Sequence, residues 1–439
     1  MQKNIIIRPE QMSGPIKPLH GVGGGPLSCH FSVDATEEFR EAGIPFGRTH
    51  DIEYPFGAGE FVDIHCVFPD FDKDENDPRS YNFVFTDEYL RAMKAAGTEP
   101  LYRLGESIEH QPIKRHIFPP KSFEKWGRVC SHIIAHYNEG WADGFHMGIR
   151  YWEIWNEPDI PQCWQGTQEE FFEFYRAAVT VIKQEHPDIR IGGPTVTSPA
   201  SDMFEPFIKY VSENNVPIDF VSWHNYTHTP EQFADLTRRG REIMKKYGLD
   251  DKEAICDEWN YICDWDEITP AHRLRKTAFC AAFMATILCS AQQERVDKLV
   301  YYDAQLIGGA TWNNLFTPLP SGKHAATVGV KREIPYYVLW AWNKLYRAGN
   351  AVKVEGAEGL YSAAAADENG NVVMLLSNYD DRDNYNAYVP EDALIRLNYD
   401  SAEVLLLEDG DEPARITVTD GTFTLPGNRC ALVTVKNGK

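Results

Sequence analysis

Basic residues are scarce in this chain relative to acidic ones: 43 Lys and Arg stand against 65 Asp and Glu, a formal charge of −22 over 439 residues. Such a charge repels nucleic acid and anionic membrane surfaces, so neither is expected as a partner. Cysteines at CxxC spacing are missing too. The nine cysteines are odd in number and irregularly spaced, which offers neither a disulfide framework nor a thiolate zinc site. No apolar run is long enough for a membrane span, and the longest, 277–291, reads as a buried helix. Near the start only Ile5-Ile6-Ile7 is apolar, which is not the core of a secretory leader. The expectation is a soluble protein of a reducing, cytoplasmic compartment.

Hydrophobic residues at 43% and aromatics at 13% are enough for a large core. A chain of this length holds roughly two or three domains, or one large barrel with an appendage. From about 17 to 348, short apolar runs alternate with longer segments of helical period. The candidate strands are 17–25, 45–50, 99–106, 151–158, 189–194, 219–226, 253–260 and 298–305. Between them lie helices with legible starts: the capping box Thr167-Gln168-Glu169-Glu170, and Thr229-Pro230 and Thr269-Pro270, with Pro at the first helical position. Eight strand–helix units predict a closed (β/α)8 TIM barrel over 15–348. The competing doubly wound sheet lacks its glycine fingerprint, because Pro26 stands where the third Gly of Gly21-Val22-Gly23-Gly24-Gly25-Pro26 belongs. Past 349 the helical period gives way to short alternating strands with turn signals such as Glu368-Asn369-Gly370. A β-sandwich is expected over 349–439, joined by a strand from residues 1–14.

In such a barrel the chemistry belongs at the C-terminal strand ends. Those ends carry Arg48-Thr49-His50, Gly105-Glu106, Trp155-Asn156-Glu157-Pro158, Trp223-His224-Asn225-Tyr226, Asp257-Glu258-Trp259-Asn260 and Tyr301-Tyr302-Asp303. Carboxylates, amides and aromatics converge there. Two carboxylates across a barrel mouth suit glycoside cleavage: one protonates the departing oxygen, the other attacks the anomeric carbon or activates water. Glu157 and Glu258, on the fourth and seventh strands, are the candidates. A separation of about 5–5.5 Å implies retention and about 6.5–9.5 Å inversion. Trp223, Tyr226, Tyr302 and other aromatics offer flat surfaces for a sugar ring, and Asn156 can hydrogen-bond a hydroxyl. A lone Glu at a strand end is more often an ion-pair member, but an Asn-Glu-Pro tip after Trp-Glu-Ile-Trp has little structural reason to exist. Asp257 competes with Glu258, since strand alternation turns only one of two neighbours toward the mouth.

Glu-Ile-Trp-Asn-Glu-Pro-Asp at 153–159 resembles the acid/base motif of the clan A retaining glycoside hydrolases. Pro18-Leu19-His20-Gly21-Val22-Gly23-Gly24-Gly25-Pro26, the stretch from Tyr81-Asn82-Phe83 to Glu99-Pro100, Val221-Ser222-Trp223-His224-Asn225-Tyr226 and Ile334-Pro335-Tyr336-Tyr337 narrow the resemblance to glycoside hydrolase family 39, the β-xylosidase and α-L-iduronidase family. It implies Glu157 as general acid/base, Glu258 as nucleophile and Asn156 at the 2-hydroxyl. His224 and Tyr226 line the cleaved-sugar subsite, and His50 fills the polar position on the second strand. It departs from the family at Cys256-Asp257-Glu258, where a small or hydroxyl residue is expected before the Glu, and at Tyr301-Tyr302, where a Trp is usual.

Glu106 with Arg103 lines or braces the third strand, and Trp312 with Phe316 forms a substrate platform or packs a loop. The acidic run 70–77 imitates a calcium loop but has no Gly at its sixth position, and its twelfth is Tyr81, so a solvated loop is the better reading. No metal and no cofactor is implied. The expected reaction is retaining, exo-acting hydrolysis, first of β-xylosides, with β-glucosidase, β-galactosidase and α-L-arabinopyranosidase as alternatives. The substrate partner is an oligosaccharide or glycoside, and a homo-oligomer is compatible with the sequence. Two other classes compete: a non-catalytic carbohydrate-binding barrel, which would lack one carboxylate, and a metal-dependent hydrolase, which needs His/Asp clusters where only His50 and His224 stand.

Overall fold

The computed structural model describes residues 2–27, 32–52, 59–306, 312–320, 327–418 and 420–436. After a long first strand, β1 (Gln2–Pro15), come eight parallel strands that close into a barrel in chain order: β2 (Gly21–Gly23), β3 (Phe46–Arg48), β4 (Glu99–Leu104), β5 (Tyr151–Ile154), β6 (Arg190–Val196), β7 (Phe220–Thr227), β8 (Glu253–Tyr261) and β9 (Lys298–Tyr301). Each overlaps one of the eight segments marked by pattern. A small hairpin, β10 (Phe316–Pro318) with β11 (Val330–Arg332), follows the last of them.

Alternation along the barrel strands sorts their side chains into layers. Phe46, Leu101, Tyr151, Phe220 and Ile255 form a closed apolar cluster at the N-terminal end of the barrel interior. Two residues further along the same strands stand Arg48, Arg103, Glu153, Ser222 and Asp257, all buried. Residues of opposite phase, such as Tyr102, Trp152 and Trp223, pack outward on the helical layer. The barrel therefore has an apolar floor and a charged storey above it, and that storey carries the mouth.

The second unit is a nine-stranded, largely antiparallel sheet. It contains β1, β12 (Asn350–Glu355), β13 (Tyr361–Ala366), β14 (Val372–Asn378), β15 (Ala393–Leu397), β16 (Ala402–Leu407), β17 (Ala414–Val418), β18 (Thr422–Leu425) and β19 (Arg429–Val435), in the order β17-β16-β19-β14-β13-β12-β1-β15-β18. Its strands share one apolar cluster running from Ile5 and Ile7 through Met374 and Leu376 to Leu425 and Val433, so the sheet folds over on itself as a sandwich. The opposite phase, Ala363, Ala365, Leu375 and Leu432, belongs to the barrel's own core. The helix Ala278–Gln293 lies between sheet and barrel, with Thr286 bonded to Ser377 at 3.0 Å and Ser377 to the carbonyl of Ala282 at 2.9 Å. Burial on both sides accounts for a helix that is apolar all round. Among the described residues no single helix is long and apolar enough to cross one.

β1 pairs antiparallel with β12 and parallel with β15, joining the two parts of the sheet. Ile5 is fully buried there. Ile5→Ala is expected to lower the free energy of unfolding by about 2–5 kcal/mol, read from urea titration.

Candidate active site

The tip of β5 is built from constrained backbone. Trp155 and Glu157 lie in the left-handed region (φ 73° and 42°), and so do Asp51 after β3 and Thr195 in β6 (φ 54° and 53°). Four non-glycine residues of this kind around one barrel mouth mark a place where packing over-determines the chain. The packing is visible. The indole of Trp155 is buried against Trp126, Trp164 and Phe174, and its Nε1 donates to the carbonyl of Cys163 at 2.9 Å. Gly105 permits the close approach: a Cβ there would sit 2.7 Å from Trp155 Cα. The amide of Glu157 donates to the carbonyl of Thr195 at 3.0 Å. Anchored outward at Trp155, the chain presents Asn156 and Glu157 to the mouth.

Beneath them sits Arg48, fully buried and bonded to four side chains from two strands and their tips. Its Nε lies 2.6 Å from Glu153 Oε2 and 3.3 Å from Asp257 Oδ2; Nη1 lies 2.6 Å from Glu258 Oε1, and Nη2 donates to Asn156 Oδ1 at 2.9 Å. Burial would lower the guanidinium, but Glu153, Asp257 and Glu258 outweigh it and hold it charged. Burial pushes Glu153 up, to about 8, against the pull of Arg48 and with Asp257 adding to the rise. Asp257 goes the other way: its burial is outweighed by Arg48 and His224, which hold it below its ordinary value. Burial thus favours the protonated form of Glu153, while Arg48 favours the ionised form of Asp257.

Alternation does not decide between Asp257 and Glu258, because β8 bulges. Trp223 pairs with Cys256 but His224 with Glu258, and the register slips again between Cys256 and Trp259 toward β9. The extra residue turns both carboxylates inward. They differ in depth. Asp257 is wholly buried beside Arg48 Nε, with His224 Nε2 at 3.7 Å, whereas Glu258 is the one at the mouth.

Glu258 accepts from Tyr226 Oη at 2.6 Å through Oε2, and His50 Nε2 stands 3.4 Å from Oε1. His224 lies between the two candidate carboxylates, its Nδ1 2.7 Å from Glu157 Oε1 and 3.4 Å from Glu258 Oε2. One oxygen of Glu157, one of Glu258 and one ring nitrogen of His224 all lie within 4.8 Å of each other. Burial would lower the His224 ring, but Glu258, Asp257 and Glu157 together raise it well above its ordinary value, so it is a cation at neutral pH. His50 is pushed the other way, by burial and then by Arg48, and is neutral. Burial lifts Glu258, to about 7, with His224 and Arg48 pulling it back.

The rim is aromatic. Trp312 packs on Tyr226 (5.5 Å between ring centroids), Tyr302 (5.6 Å) and the exposed Trp265 (6.0 Å), while the Arg275 guanidinium stacks over its ring at 3.9 Å. Tyr302 donates to Asp51 Oδ2 at 2.5 Å. The structure thus brings together Glu157, Glu258, Asn156, His50, His224, Tyr226, Tyr302 and Trp312. One sequence expectation is corrected, and of the two alternatives for Glu106 the structure shows bracing. Trp223 is not at the mouth: its phase on β7 sends the indole outward, buried against Phe204 and close to Gly240. Glu106 spends both oxygens on His65, accepting from its amide at 3.1 Å and meeting its ring nitrogen, while neighbouring Arg103 is held by Asp63 at 2.5 Å. It braces the β4 loop and does not join the carboxylate pair.

Sequence reasoning missed Arg48, although it stands beside His50 in a quoted strand end. A charged residue in phase with the buried Phe46 was the available signal. Trp265, in the loop after β8, had no pattern to mark it.

The sequence matches the family model described as Glycosyl hydrolases family 39 over residues 3–303. A beta-xylosidase of Geobacillus stearothermophilus is 24% identical over 278 residues, covering 57% of this chain and 53% of that protein. One of Caldicellulosiruptor saccharolyticus is 32% identical over 218 residues, 45% of this chain and 41% of that protein. The chain thus spans about half the length of the curated relatives it matches. Among solved structures, a glucosidase from Croceicoccus marinus superposes with a TM-score of 0.78 at 20% identity, and a monomeric beta-xylosidase from Caulobacter crescentus CB15 with 0.68 at 16%, each over the whole of both chains. At those identities the likeness is one of fold.

Removing the shared cation leaves Asp257 and Glu258 buried without it. Arg48→Met is expected to cost about 3–5 kcal/mol of stability at neutral pH, with the deficit shrinking toward pH 5 as the stranded carboxyls take up protons. Urea unfolding of both proteins at the two pH values checks it.

Proposed function

This chain belongs to glycosyl hydrolase family 39, and from that premise we propose that it is a retaining, exo-acting glycosidase that hydrolyses β-xylosides. The observation that carries the reading is the proximity of the two mouth carboxylates, with oxygens of Glu157 and Glu258 within 4.8 Å of each other. That spacing suits direct attack, and it is shorter than the about 6.5–9.5 Å separation of an inverting pair. The names of the related beta-xylosidases support the choice of sugar.

Glu258 Oε attacks the anomeric carbon as the bond to the leaving oxygen breaks. The proton that oxygen takes comes from Glu157, which His224 contacts through Nδ1. The product is a glycosyl ester on Glu258. Glu157, now ionised, then removes a proton from the water that attacks the anomeric carbon, and the ester C–O bond breaks to free Glu258. Arg48 and Tyr226 hold the two Glu258 oxygens and fix the direction of attack. Asn156, its carbonyl oxygen taken by Arg48, has its amide N–H groups directed by that bond and is suited to donate to the 2-hydroxyl. Tyr302 and Trp312 give the sugar and its aglycone apolar faces. The depth of the pair suits a terminal residue rather than a chain lying across an open cleft.

Hydrolysis of a panel of aryl xylosides, glucosides, galactosides and arabinosides in both anomers tests the reading. Release is expected from the β-xyloside, with the β-anomer of xylose as the first product by NMR; an α-anomer formed first would overturn retention. Glu157→Gln is expected to lose about 10²–10⁴ in kcat on substrates with poor leaving groups. Glu258→Gln is expected to abolish turnover. Asp257→Asn should retain a measurable rate, and a reversal of that order would make Asp257 the nucleophile.

The pH profile carries its own expectation. Burial raises the Glu258 carboxyl to about 7, so its ionised, attacking form is lost as pH falls through that value. The acid limb of kcat/KM should lie near neutrality and not near the ordinary glutamate value of ~4.3.

A further inference from the structure

Three groups of potential metal ligands occur among the described residues. Glu157, His224 and Glu258 are the carboxylate pair and its histidine. Asp63, His65 and Glu106 are committed elsewhere: Asp63 holds Arg103 and Ser107, and His65 is bonded to Glu106. The third group is held by no cation outside it among the described residues and has no part in the reaction derived above; its hydrogen bonds run to Tyr261 and to the amide of Asn386. It comprises His228, after β7, Cys263, after β8, and Asp381, in the loop that follows β14 of the sheet.

We propose that His228 Nδ1, Cys263 Sγ and Asp381 Oδ2 form a zinc site that ties the barrel mouth to the sheet. The argument is geometric. Bonds of about 2.05 Å to nitrogen, 2.0 Å to oxygen and 2.3 Å to sulfur, at tetrahedral angles, set N and O about 3.3 Å apart and S and O about 3.5 Å apart. The observed edges are 3.3 Å for His228 Nδ1 to Asp381 Oδ2 and 3.6 Å for Cys263 Sγ to Asp381 Oδ2, and the third is under 4.8 Å. As a hydrogen bond the first edge is slack. The pairs His224–Glu157, His186–Glu139 and His136–Asp87 close to 2.7, 2.7 and 3.0 Å in the same molecule, while His50–Asp51 stays at 3.3 Å. Imidazole, thiolate and carboxylate together select a borderline-soft divalent ion, and three protein ligands leave a fourth position for water at the half-buried His228.

The surroundings orient the donors. Asp381 is buried, with Oδ1 accepting from the amide of Asn386 at 2.9 Å and Oδ2 from Tyr261 Oη at 2.7 Å. Tyr261 Oη accepts in turn from the amide of Tyr385 at 3.0 Å and lies 3.0 Å from Cys263 Sγ. The carbonyl of His228 is held by Tyr379 Oη at 2.7 Å. Hydrogen-bonded outer partners of this kind fix ligand direction in metal sites. The ion would brace the end of β7, which carries Tyr226, and the loop after β8, which carries Trp265, without touching the carboxylate pair.

Titration of the chelator-treated, full-length protein with Co²⁺ under anaerobic conditions tests the site independently of turnover. The expected result is one cobalt per chain, tetrahedral ligand-field bands, and a thiolate-to-cobalt charge-transfer band that Zn²⁺ bleaches. Cys263→Ser should lose the charge-transfer band, Cys66→Ser should keep it, and Asp381→Asn should weaken binding by roughly tenfold or more. Circular dichroism establishes that each protein is folded. A folded wild type without the band at millimolar cobalt overturns the proposal. So does a band that survives Cys263→Ser.

Discussion

One buried guanidinium organises this molecule. Arg48 bonds Glu153, Asp257, Glu258 and Asn156 above an apolar barrel floor, in a place where a single uncompensated charge would be costly. The cation favours the ionised forms of the two neighbouring carboxylates on β8, holds Asp257 below its ordinary value and fixes one oxygen of Glu258. It also spends the Asn156 carbonyl, which leaves that amide with only its N–H groups to offer. His224 is the second cation of the set and lies where the two mouth carboxylates meet. The protonation states of the whole mouth follow from these two positive groups and from burial.

Regular secondary structure alone would not produce that arrangement. A bulge at Asp257 puts consecutive carboxylates on one face of β8, and left-handed residues at the tips of β3, β5 and in β6 turn the chain back over the barrel. Each irregularity is held by ordinary packing nearby, as with Trp155 among Trp126, Trp164 and Phe174 and against the bare backbone of Gly105. The strain is local and the support is spread through the helical layer, which is how a functional constellation is kept in one conformation.

The sheet is more than an appendage. The alanines of β13 face both the sandwich interior and the apolar helix Ala278–Gln293, so barrel and sheet share one continuous core. Contacts at the mouth reinforce this. The β14 loop reaches the ends of β7 and β8 through Asp381, Tyr379 and Tyr385, and it thereby sits against the loops that carry the aromatic rim. The conformation of the rim is coupled to the sheet through these bonds.

Much of this was legible in the residues. Period and capping marked eight strand–helix units, and the tip Trp155-Asn156-Glu157-Pro158 pointed to carboxylate chemistry, because local spacing and residue type report local structure. Four strands of the second unit, β12, β15, β17 and β18, carry no sequence mark of their own, because runs of four to six residues have little weight singly. Trp223 was misplaced for a related reason: a strand end names the residues near a mouth but not the phase that decides which of them enter it. By itself the sequence determined the barrel and the second β unit, and it singled out Glu157 and Glu258 as candidate carboxylates at strand ends. Only the tertiary structure decided that Asp257 also turns inward, that Arg48 is the shared counter-ion, and that His228, Cys263 and Asp381 meet. Those outcomes depend on register slips and on contacts between distant segments, which no spacing along a single chain encodes.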